Sequence, residues 1–375
     1  SLDVAIASVS AITEEGNLIP TTALVGLPNF VEAADKVIVR LSPFYPLEME
    51  GMHDVYISKD PFRREPVPLS RVDERIGSPF VPVDADKIAS IVVTDTPDAT
   101  LPKQIPSEVD RQMAQNIISF LEHEVSLNRL PPNLLPIEIG IGGVNEALLE
   151  ALSHSKFTNI EFFSAALGDG VLDLIDRGKV RAVSATSFLL SDEGEKRLFR
   201  DINKYKKFIV LRPVEIADSP ELIARLGLIA FNGVIEVDIY GHANATHIGG
   251  SRVINGIGGL GEFAENAYLS IIMLPSVTRG GMVSSVVPMV THVDVTEHSV
   301  DVIITEQGVA DLRGLSPKER AEQIIQNCAH PDYQPLLRDY LDKAVSKVGM
   351  HEPHLLEESF SFHQRLASTK TMRMP

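Results

Sequence analysis

Ile137-Glu-Ile-Gly-Ile-Gly-Gly-Val-Asn-Glu-Ala-Leu-Leu-Glu-Ala-Leu152 reads as a short apolar strand, a glycine loop and an amphipathic helix in immediate succession. Such alternation is the repeating unit of an α/β sheet with helices on its faces. It continues downstream, where strands are expected at 159–163, 208–212, 228–231, 235–240, 269–274 and 301–305 and helices at 144–152 and 171–177. Upstream come β-rich runs at 4–9, 23–26, 36–41 and 88–94, interrupted by the proline- and charge-rich stretch 45–82, which reads as a surface excursion. Ser107 to Leu127 is the clearest helix: Met113, Ile117, Ile118, Leu121 and Val125 share a face and Ser107 can cap it. Pro131, Pro132, Asn133 and Pro136 break regular structure, which places a domain boundary near residue 130 and gives units 1–130 and 131–375. Ser316-Pro-Lys-Glu319 carries a capping box that opens a further helix, and 335–370 is mostly helical.

The chain has 375 residues, 34 basic against 51 acidic, for a net charge of -17. A surface so acidic repels phosphate backbones and excludes non-specific nucleic-acid binding. No run approaches the ~20 apolar residues that cross a bilayer, so no membrane partner is expected. The single cysteine, Cys328, rules out an intrachain disulfide framework. It fits a reducing compartment, with the cytoplasm as the default and a mitochondrial matrix reading equally compatible. The chain opens at Ser1-Leu-Asp3, directly in a strand and without methionine, which reads as a fragment or a processed chain.

Two glycine loops are candidate ligand sites. Gly140-Ile-Gly-Gly-Val144 joins a strand to a helix, where missing side chains expose backbone amides to an anion or an extended ligand. Glu161 on the next strand lies about where a dinucleotide fold places its ribose-binding acid, but Asn145 replaces the third glycine. Asn255-Gly-Ile-Gly-Gly-Leu-Gly261 matches GxGxxG literally, without a long apolar helix behind it. An NAD-binding dehydrogenase is therefore a distant alternative, and tight turns between core strands are another. His242 with His247, and His292 with Asp294 and His298, could be drawn as metal ligands, but their spacing fits no standard zinc pattern. Ordinary hydrogen-bonded histidines and no metal are expected.

Several longer strings decide among these options. Ile235-Glu-Val-Asp-Ile-Tyr-Gly241, Asn244-Ala-Thr-His247, Asn255-Gly-Ile-Gly-Gly259, Thr305-Glu-Gln-Gly-Val-Ala-Asp-Leu-Arg-Gly-Leu-Ser-Pro317 and Cys328-Ala-His-Pro-Asp-Tyr333 occur in this order. With Gly51-Met-His-Asp54, Arg71-Val-Asp-Glu-Arg-Ile-Gly77 and Asn133-Leu-Leu-Pro136, they resemble the acetyl-CoA hydrolase/CoA-transferase family along essentially the whole chain. The likeness is to class I enzymes of the succinyl-CoA:acetate and propionyl-CoA:succinate type. It implies two CoA-transferase-type open α/β domains with the active site between them, the first incomplete because its opening part is absent. It further implies acyl-CoA and small carboxylates (acetate, succinate or propionate) as substrates, CoA as the only cofactor, and either a homodimer or association with a chain that supplies the missing segment. If nothing supplies it, the first domain exposes an unpaired sheet edge.

Position by position, the resemblance makes Gly140, Ile141, Gly142, Gly143 and Val144 the loop that grips CoA. Ile235, Asn255 and Gly259 become further CoA contacts, with the Gly259 amide an oxyanion donor. Arg279 stands where the family often has lysine and keeps the charge that a CoA phosphate needs. Glu306 matches the second active-site glutamate; judged on its own it is a loop-stabilising carboxylate, paired with Arg313. The family's nucleophilic glutamate falls in a Thr/Ser-Glu-x-x-Gln-Asp string, but here the residues are Ser164-Ala-Ala-Leu-Gly-Asp169. Ala165 therefore occupies the nucleophile position, Gly168 replaces the glutamine, and Asp218 stands where the family has asparagine. Three readings fit: an engineered trap, a divergent CoA-binding or silent subunit, or a hydrolase using Asp218, Glu306 or, least well placed, Glu161 as general base.

Overall fold

The computed structural model describes residues 2–374. Two compact units emerge, and neither is continuous in sequence. The first takes residues up to Ile105, Pro131–Ile141 and Leu152–Leu228; the second takes Pro106–Leu130, Gly142–Ala151 and the chain from Ile229. This grouping differs from a single division near residue 130. The helix that precedes the proline-rich stretch ends at Ser126, with Asn128 at φ +55, and it packs into the second unit, so a break in regular structure and a break in packing fall at different places.

In the first unit, alternation along Leu2–Ile12 buries Ala5, Ala7 and Val9 and exposes Val4 and Ile6. Leu2–Ile12 pairs antiparallel with Leu18–Pro20 and parallel with Ala34–Leu41, which pairs in turn with Ile88–Val93. Ile88–Val93 is the edge of this four-stranded sheet, and Ile91, Val92 and Val93 are exposed along it. Residues 23–26 form no strand. Only an isolated bridge at Ala23 remains, and the helix Leu27–Ala33, with Pro28 in its first turn, takes over.

The same unit carries the parallel strands Ile137–Ile139, Ile160–Leu167, Val180–Phe188 and Ile209–Leu211, each paired to the next. Val180–Phe188 has little hydrophobic periodicity because seven consecutive residues from Ala182 are buried, as expected of a parallel strand covered on both faces. Ser184 accepts a hydrogen bond from Arg212 Nε within that core.

In the second unit the parallel strands Ile229–Gly233, Leu269–Met273 and Val302–Ile304 are closed by the antiparallel strand Val309–Asp311. Helix Glu108–Ser126 begins at a capping box in which Ser107 and Asp110 exchange bonds. Its Glu124 is buried and answers both Arg313 and Arg129. Helix Pro317–Asn327 starts at the Ser316–Glu319 capping box, and the tail contributes helices Gln334–Lys347 and Ser361–Thr369. Ile272, Val286, Ile303, Ile324 and Tyr333 belong to the core that these elements enclose. Among the described residues no helix is long and apolar enough to cross a membrane.

Candidate active site

In the first unit, Ala165 lies half-buried within strand Ile160–Leu167. Its neighbour Ser164 is fully buried; the hydroxyl donates to the Ile139 carbonyl at 2.7 Å and accepts from the Ile139 amide at 3.2 Å. The backbone entering the Gly140–Ile141 turn is thus tied to the residue beside Ala165. Asp218 closes the short helix Val214–Ala217, which packs against strands Ile160–Leu167 and Val180–Phe188. The first unit therefore gathers Gly140, Ile141, Ala165 and Asp218 around the same parallel strands. Glu161 is spoken for: its carboxylate pairs with Arg181 on the neighbouring strand, and Arg181 also reaches Asp73 at 3.1 Å. That cross-strand ion pair removes Glu161 from the candidate bases.

The second unit holds the other candidates. The Gly142 carbonyl accepts from the Glu146 amide at 3.0 Å as helix Gly143–His154 begins, and Gly142 has φ +141, a conformation side chains resist. A Cβ on Gly143 would lie 2.7 Å from Asp110 Oδ2, so any side chain there would displace that carboxylate. Val144 is half-buried in the first turn of that helix. The helix N-terminus thus has a carboxylate beside it, engaged by Ser107 N and Oγ. Nothing in the sequence pattern points to Asp110 as a neighbour of this loop; only the packing of helix Glu108–Ser126 brings it there.

Glu306 sits in the turn Thr305–Gly308 that joins strands Val302–Ile304 and Val309–Asp311, closed by Thr305 N donating to Gly308 O at 3.0 Å. One carboxylate oxygen accepts from the Ser276 amide at 2.8 Å; the other accepts from the Ser276 hydroxyl and from Gln307 Nε2 at 2.9 Å. Burial alone would raise this carboxyl, but the bonds from Ser276 and Gln307 outweigh it and hold the group below its ordinary value. Glu306 is consequently an anchored carboxylate. Arg313 is not its partner, because that guanidinium binds Asp311 and Glu124 at 2.7 and 2.8 Å. Asn116, which no motif flags, donates to the Thr305 carbonyl at 2.9 Å and steadies the same turn.

The remaining candidates lie on loops. Ile235 N donates to Asn244 O at 2.8 Å, and Asn255 Nδ2 donates to Ala245 O at 3.2 Å. Gly259 precedes the seven-residue helix Leu260–Asn266, after Gly258 at φ +58. Arg279 stands exposed at the tip of the hairpin Val277–Thr278/Val283–Ser284 with φ +51. The two histidine groupings drawn from sequence are rearranged. His247 and His292 stack with ring centroids 3.9 Å apart beside Asp294, while His242 and His298 both meet Glu297.

Comparison with known proteins decides the lineage. The acetyl-CoA hydrolase/transferase N-terminal domain matches residues 1–93 and the corresponding C-terminal domain matches 194–341. The chain belongs to the acetyl-CoA hydrolase/transferase family. It is 48% identical over 372 residues to a succinyl-CoA:acetate CoA-transferase of Clostridium kluyveri, covering 99% of this chain and 69% of that protein. It is 43% identical to an acetyl-CoA hydrolase of Candida glabrata, covering all of this chain and 72% of the relative. Among solved structures, RipA of Yersinia pestis superposes with a TM-score of 0.70 at 21% identity, over 91% of this chain and 70% of that one. A 4-hydroxybutyrate CoA-transferase of Porphyromonas gingivalis gives 0.66 at 22% identity, over 91% and 75%. At such identity these two establish the α/β fold alone.

Proposed function

We propose that this chain binds short acyl-CoA thioesters but does not pass CoA through a covalent enzyme intermediate. The supporting observation is the alanine at position 165. In the glutamyl route that the family resemblance implies, a carboxylate oxygen attacks the thioester carbonyl and expels the CoA thiolate, leaving a mixed anhydride. The thiolate then attacks the glutamyl carbonyl, releasing the first acid and forming an enzyme thioester that an acceptor carboxylate resolves. A methyl group has no lone pair with which to begin. Gly168 and Asp218 extend the departure, which favours a divergent binding subunit over a single engineered exchange.

In this reading the Gly140–Val144 loop, Ile235, Asn255 and Gly259 hold the coenzyme, and exposed Arg279 attracts one of its phosphates. The Asp110 carboxylate beside Gly143 repels an anion at that helix terminus. The section of CoA that lies there is therefore the uncharged pantetheine arm, and the phosphates lie elsewhere. Anchored Glu306 orients the acyl end.

Hydrolysis is the second reading, favoured by the relatives named acetyl-CoA hydrolase and by the carboxylates Asp218 and Glu306. A carboxylate would take a proton from water, the water oxygen would attack the carbonyl, and CoA would leave as the thiol. Glu306 is held below its ordinary value, which weakens it as a base relative to an unbonded glutamate.

Calorimetric titration with CoA and acetyl-CoA, combined with thiol release from acetyl-, propionyl- and succinyl-CoA with and without acetate, separates these readings. We expect binding without release or transfer, and transfer activity in Ala165→Glu. Thiol release that needs no acceptor and disappears in Asp218→Asn would establish hydrolysis. A CoA-linked residue found by mass spectrometry on the unaltered chain, or no coenzyme binding at all, would overturn the proposal.

A further inference from the structure

The second unit contains a cluster of ionisable side chains that the acyl-CoA reading does not use. His242, Glu297 and Glu352 each present one ligating atom, and these atoms all lie within 4.8 Å of one another. They come from three separated segments: the turn after strand Glu236–Asp238, the helical turn Glu297–Ser299, and the loop that follows helix Gln334–Lys347.

The imidazole is oriented as a ligand requires. Its Nδ1 faces the Asp238 carboxylate at 3.2 Å, and its Nε2 faces Glu297 Oε2 at 2.8 Å. Asp238 is itself immobilised, accepting the amides of Tyr240, Gly241 and His242 at 3.0 Å each. A carboxylate that fixes one imidazole nitrogen, and so directs the other inward, is the arrangement that supports metal-bound histidines. Glu352 Oε1 is buried without a hydrogen-bond partner among the described residues, so one acceptor in the cluster is left unanswered.

Charge points the same way. Asp238, Glu297 and Glu352 contribute three negative charges. Arg320, a buried cation beside them, is committed to the carbonyls of Tyr240, Glu297 and Val300. Exposed His298 touches the outer oxygen of Glu297 at 2.6 Å.

We infer that His242, Glu297 and Glu352 form a binding site for a divalent transition cation of the zinc class, with Asp238 as the group that orients His242. Three N/O ligands and one water complete a tetrahedron at ~2.0–2.2 Å. Such a tetrahedron sets ligand atoms ~3.3 Å apart, so the widest separation closes by at most ~1.5 Å, within reach of rotation about the half-buried Glu352 side chain. The ion would tie the three segments together as a structural clasp. This inference is independent of the acyl-CoA reading.

The test uses the full chain, stripped with a chelator and titrated with zinc chloride, with bound metal measured after gel filtration. One equivalent of zinc is expected. Cobalt(II) in its place should give the visible absorption bands of a tetrahedral site. Glu352→Gln should abolish stoichiometric binding with unchanged circular dichroism, and Asp238→Asn should weaken it by ~10–100-fold. No zinc taken up by the unaltered chain would overturn the inference. So would zinc retained in Glu352→Gln, or binding lost on replacing His247 and His292 while His242 is intact.

Discussion

Replacing Ser276 by alanine tests whether Glu306 is the anchored carboxylate described above. The Ser276 side chain is wholly buried, so the exchange removes a hydroxyl without exposing new surface. Glu306 accepts three hydrogen bonds, and Ser276→Ala removes one of them while its amide at 2.8 Å and Gln307 Nε2 at 2.9 Å remain. A hydrogen bond to a charged acceptor is worth ~1.5–3 kcal/mol. Because Glu306 is only half-buried, the lower end applies, and we expect a coupling of ~1.5 kcal/mol between Ser276→Ala and Glu306→Gln in a double-mutant cycle. The chain has no tryptophan, so urea unfolding is followed by far-ultraviolet circular dichroism with the slope held constant. Glu306 is held below its ordinary value of 4.5 in the folded chain. Its contribution is therefore fully present above that pH and is lost as pH falls through the lower folded value. The coupling should be equal at pH 6 and pH 8. Additive single exchanges, with a coupling under ~0.5 kcal/mol, would refute the anchoring.

Two further outcomes follow from the geometry. A Cβ at Gly308 would meet the Asn327 carbonyl oxygen at 2.9 Å, so Gly308→Ala should destabilise by ~1–3 kcal/mol and lower the melting temperature. Gly256→Ala, with open space around it, should not, and equal melting of the two variants would contradict the packing of the Thr305–Gly308 turn. Wholly buried His53 donates from Nε2 to Thr21 O at 2.9 Å, and burial pushes its imidazole down to about 4. The unfolded chain binds that proton near 6.5 and the folded chain does not, so stability falls as pH drops between these values. Between pH 7 and pH 5 this amounts to on the order of 2 kcal/mol. His53→Gln should flatten that part of the pH–stability curve, and an unchanged slope would assign the acid loss to another group.

The α/β class and most of its elements were readable from residue order alone. Hydrophobic runs of strand length, the Ser107 and Ser316 caps and the glycine loops act locally, within a few residues, and local signals survive without a fold. The ordered motifs carried the family, and the alanine at position 165 was legible the moment its neighbours were aligned. Tertiary packing decided the rest. Residues 23–26 lost their strand to the helix Leu27–Ala33, and Val180–Phe188 gained one without periodicity, because burial on both faces depends on what lies above and below a strand. The division into units was also a matter of packing, since helix Glu108–Ser126 joins residues far along the chain. Asp110 beside Gly143, Asn116 on the Glu306 turn, and the choice of Ser276 over Arg313 as the partner of Glu306 all join positions far apart in sequence. So does the meeting of His242, Glu297 and Glu352. Contacts of that range are set by how whole elements pack, and no spacing in the chain encodes them.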